Sequence, residues 1–214
     1  MELLAQIDAL IAERHLLTHP FYTKWVEGTL PKEAIQDYAR QYYAFESEFP
    51  RYLSSIHTRT EQPELRQHLL DNLWDEEHGE ENHAELWMRF AEAMGVSRDD
   101  VMAAETNEGT ARLLATYRAW TKCVAGGVAA IHAYEAQVPK IAEAKIAGLK
   151  DHYGVDDEES LKFWNVHRVL DVEHSEAERT ILSEIAATDP DEALASTGAA
   201  LDAWWGFLDA VDTN

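Results

Sequence analysis

Apolar residues recur at three- and four-residue spacing along nearly the whole chain. Leu3, Leu4, Ile7, Leu10 and Ile11 open it with the period of one helix face. Pro31 opens a helical segment running to about His57, and Gln62-Pro63-Glu64 opens another that ends near Met94-Gly95. Ser97, with Asp100 three residues on, has the form of an N-cap with an acidic partner. Gly126-Gly127 is expected to divide a long helical stretch, and Asp156 or Asp157 to cap a helix running to about Ala187. Asp189-Pro190-Asp191-Glu192 combines a capping side chain, a proline at the first helical position and a glutamate at the third. No period-two alternation, hairpin turn, internal repeat or low-complexity linker interrupts this pattern. It predicts seven or eight helices in one all-α domain spanning residues 1–214.

Composition narrows the function classes. Apolar residues make up 46% of the chain and charged residues 27%, enough for a sizeable core without disulfides or a structural metal. Eighteen basic against forty acidic residues give a net charge of −22, which repels phosphate backbones and anionic lipid. Nucleic acid and membrane surfaces are therefore not expected partners. The single cysteine, Cys123, excludes an internal disulfide framework and fits a reducing compartment, so a cytoplasmic location is expected. The first fifteen residues lack a basic region, and Glu2, Asp8 and Glu13 interrupt their apolar positions, unlike a signal peptide.

Three segments carry candidate chemistry. In DNLWDEEHGEENHAELW, Glu76 and His83 stand seven apart, about 700° of helical rotation, so one uninterrupted helix would present both on one face. The acidic neighbours also fit a solvated face. In WNVHRVLDVEHSEAER, His167, Asp171 and His174 fall on one stripe at i, i+4 and i+7. Val166, Val169, Leu170 and Val172 around them suggest burial, and two buried imidazoles with a carboxylate require either each other or a cation. Glu135 follows a run of small and apolar residues, where a carboxylate pairs with a base, binds metal or sits on a wet edge. Pooled, these residues offer three carboxylates and three imidazoles without a thiolate. Facing helices build dinuclear sites from such sets, and the donor types suit iron or manganese, with zinc less specific.

The arrangement Glu76-x6-His83, Glu135, His167-x3-Asp171-x2-His174 resembles the haem-oxygenase-like dimetal oxidases of the TenA/PqqC superfamily. HPFYTKWVEGTLPKEAIQDYARQYYAFESEFPRYLSSIH, residues 19–57, is similar to the opening of that superfamily. Within it, the chain looks most like the group of the Chlamydia protein associating with death domains, whose members make para-aminobenzoate for folate biosynthesis. The resemblance runs roughly from His19 to Glu176, and all six ligand positions carry the expected residue types. It implies a metal site of Glu76, His83, Glu135, His167, Asp171 and His174, two divalent ions (iron with iron, or iron with manganese), dioxygen, an external reductant and a homodimer. It also implies a self-sacrificing, single-turnover reaction: Tyr22 in HPFYTKW gives the ring and Lys145 in IAEAKIAG the amino nitrogen. The chemistry is consistent, since Cβ and the phenol oxygen of tyrosine are already para to one another. On these terms Tyr22 is expected to project toward the metal site and Lys145 to reach the same cavity. The ten residues from Glu135 to Lys145 span ~15 Å of straight helix, which a kink at Pro139 would have to shorten.

Other readings stay open at this point. A related dimetal oxidase would act on an external amino acid or fatty acid, and a PqqC-like oxidase would close the rings of a quinone cofactor. Thiaminase-like hydrolysis would need Cys123 as nucleophile. A helical binding module would use the acidic surface, and a haem-binding module would use His15 or His19. The C-terminal LDAWWGFLDAV suits either a dimer interface or the closing of the core.

Overall fold

A computed structural model describes residues 2–185 and 189–212, and among these it contains twelve α-helices and no strand. The first half holds α1 (Leu3–Glu13), α2 (Pro20–Glu27), α3 (Lys32–Glu46), α4 (Phe49–Arg59), α5 (Pro63–Glu77) and α6 (His83–Ala93). The second holds α7 (Arg98–Met102), α8 (Glu108–Trp120), α9 (Val124–Glu135), α10 (Val138–His152), α11 (Glu158–Ile185) and α12 (Pro190–Val211). The expected end of α11 near Ala187 lies outside the described residues.

Part of the excess over seven or eight helices arises because two expected segments are each a pair, and α2 is a further helix ahead of the segment from Pro31. The segment from Pro31 breaks after Glu46, and Pro50 falls in the first turn of α4, where its missing N–H costs no ladder bond. The segment from Pro63 breaks after Glu77, and Gly79 takes φ +85°, a left-handed conformation that suits glycine. Gly126-Gly127 divides nothing; both lie inside α9, and the break comes before it, at residues 121–123. A Cβ on Gly127 would meet Ile56 Cγ1 at 2.7 Å and Thr121 Cα at 3.1 Å, so that glycine permits close packing.

The start signals act locally as expected at most positions. Ser97 Oγ accepts the Asp100 N–H at 3.1 Å, and Asp157 Oδ1 accepts the Ser160 N–H at 2.9 Å. Asp189 precedes α12, but its side chain makes no capping bond. His15 and His19 serve as caps too, accepting the N–H groups of Leu17 and Phe21, which gives both a structural use in place of haem ligation.

α9 forms the centre of the bundle, and every residue from Ala125 to Glu135 is buried. α11 and α12 pack against it. Trp204 of α12 stacks on Tyr134 of α9 at 4.1 Å and 14°, and its Nε1–H donates to the Tyr117 hydroxyl at 2.9 Å. Such ring pairs add about 0.5–1.5 kcal/mol beyond the area they bury. Trp204, Phe207, Leu208 and Val211 are all buried, so the C-terminal segment closes the core. No helix among the described residues is long and apolar enough to cross a membrane.

A candidate metal centre

Five helices deliver the acidic and imidazole groups. Glu46 is the last residue of α3, Glu76 the penultimate residue of α5, and Glu135 the last of α9. His83 is the first residue of α6, fixed there by Asn82, whose Oδ1 caps the helix by accepting the Glu85 N–H. His167, Asp171, His174 and Glu178 form one buried stripe along α11. The valines beside that stripe had suggested its burial, but they point the other way: Val169 is 56% and Val172 50% exposed. The buried face of this part of α11 is its polar one.

Glu46, His83 and His167 bring one donor atom each within 4.8 Å of one another, and so do Glu135, Asp171 and His174. Glu76 adjoins the first trio, its Oε2 lying 2.9 Å from His83 Nδ1, and its charge is felt by both Glu46 and Asp171. All six residues expected from the sequence thus meet in one buried region, together with Glu46, which had not been expected. Glu76 and His83 do not share a helix. The chain turns at residues 78–82 and brings them together from two helix ends.

The donor atoms are short of partners. Glu46 Oε1, Glu76 Oε2, His83 Nδ1, both Asp171 oxygens and His174 Nδ1 are buried without a hydrogen bond. Glu76 and His83 are close enough to bond but lack hydrogen-bond geometry. One nitrogen each of His167 and His174 is occupied in the manner of a supported ligand. His167 Nδ1 donates to the Phe163 carbonyl oxygen at 2.8 Å, and His174 Nε2 meets Asp75 Oδ2 at 3.1 Å. Asn72 Nδ2 donates to both Glu135 oxygens at 3.2 Å. Partners of this kind fix the tautomer and leave the opposite atom free for a cation.

Electrostatics point the same way. Burial, then the carboxylate of Glu76, pushes Glu46 well above the usual carboxylate range, and burial with Glu178 does the same to Glu135. Burial lifts Asp171 to about 6 in spite of His174. Burial opposes charge on His83, yet the Glu76 carboxylate raises it to about 9. Burial likewise opposes charge on His174, and Asp171 with its neighbours raises it to about 9. Burial and the nearby His83 hold His167 neutral, as a ligand requires. Three of the carboxylates also lie at or beside helix C-termini, where the macrodipole disfavours an anion by about 0.3–1 kcal/mol each. Divalent cations would relieve all of these costs, so the donor set fits a pair of metal ions. A cavity of only about 10 Å³, room for roughly one water, touches Glu46, Glu76, Glu135, His167 and Asp171.

Tyr22 and Lys145 lie together in the packed core, apart from that cavity. α9 ends at Glu135 and α10 starts anew with Pro139 in its first turn, so the chain breaks where a kink had been expected. Lys145 is 1% exposed, and its amine donates to the Tyr38 hydroxyl. Nζ lies 4.9 Å from the Tyr22 ring centroid, 5.3 Å from that of Trp25 and 4.1 Å from that of Trp164. No carboxylate offsets burial, which drives the Lys145 pKa well below its ordinary value. Burial raises the Tyr22 phenol, and the neighbouring Tyr38 partly offsets this. Neither residue lines the cavity at the carboxylates, contrary to the expectation that both would. Tyr38 and Tyr42, with rings 5.6 Å apart, lie between, and Tyr42 lines that cavity. Cys123 donates to the Trp120 carbonyl oxygen and does not line the cavity at the carboxylates, which argues against the thiaminase-like reading.

Known proteins match this architecture. The chain is 40% identical over 212 residues to the 4-aminobenzoate synthase of Chlamydia muridarum, covering 98% of this chain and 90% of that protein. It is 42% identical over 224 residues to the 4-aminobenzoate synthase of Nitrosomonas europaea, with the same coverage. A TenA homolog from Pseudomonas syringae shares the fold at a TM-score of 0.84 and 17% identity, covering 98% of this chain and 90% of that one. A family profile described as "Iron-containing redox enzyme" matches residues 36–205, which takes in every donor described above. On this evidence the chain belongs to the haem-oxygenase-like family of iron-containing redox enzymes.

Proposed function

We propose that the chain is a 4-aminobenzoate synthase that consumes its own Tyr22 and takes nitrogen from Lys145. The observation that carries this reading is the sealed pairing of the two. A lysine amine without a carboxylate partner sits against a tyrosine ring, and burial keeps it in the neutral form that has a lone pair to give. Tyr38 stands beside both, its hydroxyl accepting from Lys145 and its presence perturbing the Tyr22 phenol. The identity to 4-aminobenzoate synthases supports the same product.

Two metal ions, iron with iron or iron with manganese, would be held by Glu46, His83 and His167 and by Glu135, Asp171 and His174, with Glu76 between. When bound they supply dioxygen activation, with electrons from an external reductant. The protein's own part is positional. Tyr22 presents Cβ and its oxygen at the two para carbons that must become carboxylate-bearing and amine-bearing. The surrounding rings exclude water. Tyr38 and Tyr42 form an aromatic bridge from Tyr22 toward the carboxylates. A cavity of about 10 Å³ has no space for an amino acid or fatty acid, which favours an internal substrate over an external one.

The test is single-turnover product formation. Protein expressed with ring-labelled tyrosine is given iron(II), manganese(II), a reductant and oxygen, with no added substrate. Labelled 4-aminobenzoate should appear at no more than one per chain. Tyr22→Phe should stop it while metal binding persists. Unlabelled product, or product in many-fold excess over protein, would overturn the reading and leave an oxidase with an external substrate.

A further inference from the structure

A groove of about 460 Å³ opens between α1, α9, α10 and α11, a volume typical of small-molecule sites. Among its lining residues are Asp8, His132, Gln137, Lys140, Glu176 and Arg179. His132 is the feature that marks it. The ring is buried at 1% exposure, its Nδ1 lies 3.1 Å from Glu178 Oε2, and its Nε2 has no partner. A buried polar atom left unpaired destabilises a fold, so such atoms call for an explanation. In the tautomer that donates Nδ1–H to a Glu178 carboxylate, Nε2 carries a lone pair and accepts.

The other groups divide into spent and available. Gln137 is fully used, accepting the Leu16 N–H at 2.8 Å and donating to the Ala133 carbonyl oxygen at 2.6 Å. Arg179 is forked onto Asp8 at 2.6 and 3.2 Å. Lys140 is exposed, and among the described residues no carboxylate lies within ion-pair distance of it. In a chain of net charge −22, a cation without such a partner lining the same groove as an unsatisfied acceptor is a distinctive pair.

We infer that this groove binds a small carboxylate that also carries an N–H or O–H donor, with the carboxylate on Lys140 and the donor on His132 Nε2. Resting on the functional reading above, the carboxylate that the chain itself generates is 4-aminobenzoate, which has both groups at opposite ends of one ring. The groove then serves as a product-binding site on the outer side of Glu135. His132 reaches Glu178, which shares the buried α11 stripe with Asp171 and His174, so an occupant would be sensed at the metal centre.

The probes are 4-aminobenzoate and benzoate, titrated into zinc-loaded protein by calorimetry and by ¹⁵N resonance of the His132 side chain. 4-Aminobenzoate should bind and shift the His132 Nε2 signal, and benzoate, lacking the donor, should bind more weakly. Lys140→Glu, at a surface position, should weaken 4-aminobenzoate about fivefold or more. Absence of a His132 shift at millimolar ligand, or equal affinity in Lys140→Glu, would overturn the inference. Labelled product is measured separately in Lys140→Glu and the parent protein. Equal yields uphold the synthase reading whatever the groove does, and no yield from either with retained binding removes that reading and keeps the site.

Discussion

Replacing Lys145 by Met isolates the cost of a buried amine. Methionine has similar length and volume and keeps contact with Trp25 and Trp164, so packing changes little. In the folded protein burial depresses the Lys145 pKa with no charged partner to offset it, whereas in the unfolded chain the residue titrates near 10.4. The unfolded state therefore binds the extra proton below pH 10.4, and parent stability rises with pH until that value is reached. The penalty is complete below the folded-state pKa and vanishes above the unfolded one. Where the folded-state amine is already neutral, one proton separates the two states between pH 8 and 9, which amounts to about 1.3 kcal/mol. Lys145→Met should thus be the more stable protein at pH 8, and its advantage should shrink by that amount at pH 9. Other groups cancel between the two proteins: burial holds Tyr22 and Tyr38 above this window, and His167 is neutral throughout it. The assay is urea denaturation of chelator-treated protein at both pH values. A stability difference that does not change with pH would show that Lys145 stays protonated in the fold, and would remove the basis for nitrogen transfer.

Iron(II) or manganese(II) at a hundredfold excess over its Kd should stabilise the protein by about 2.7 kcal/mol per site, raising the melting temperature by ~5–10 °C. Asp75→Ala, which removes the support of His174, should weaken metal binding about 10- to 100-fold; unchanged affinity by calorimetry would refute that role. Gly148→Ala places a Cβ 2.6 Å from Trp25 Cδ1 and 3.0 Å from the Trp25 carbonyl oxygen. It should cost about 1–3 kcal/mol in denaturant melts, and a neutral result would mean that Trp25 can withdraw from Lys145.

The α11 stripe was legible because ligand spacing survives inside a long uninterrupted helix. His167, Asp171 and His174 fall where the period puts them, and one further turn reaches Glu178, a signal available in the sequence and not followed. Glu76 and His83 were paired by a rotation that does not exist, since the chain leaves the helix between them. Their meeting depends on how α5 and α6 pack, which spacing does not encode. Glu46 gave no local signal: it sits between Phe45 and Ser47, with Glu48 equally acidic and no histidine nearby. Only the packing of α3 against the other ends selects it. Fold class was readable from periodicity, but the number of helices was not, because residues 47–48 and 78–82 lack strong helix breakers apart from Gly79 and the following Pro50.

The carboxylates at the ends of α3 and α9 make loading an ion exchange. Before metal enters, burial pushes Glu46 and Glu135 toward the acid form and lifts Asp171 to about 6. Each arriving cation must expel those protons, and the solution should acidify measurably as the ions bind. Metal affinity consequently climbs with pH. A cell that drifts toward acidity would hold more of this protein empty at constant metal supply. Under the proposed single-turnover reaction, that delay would set when each molecule is used.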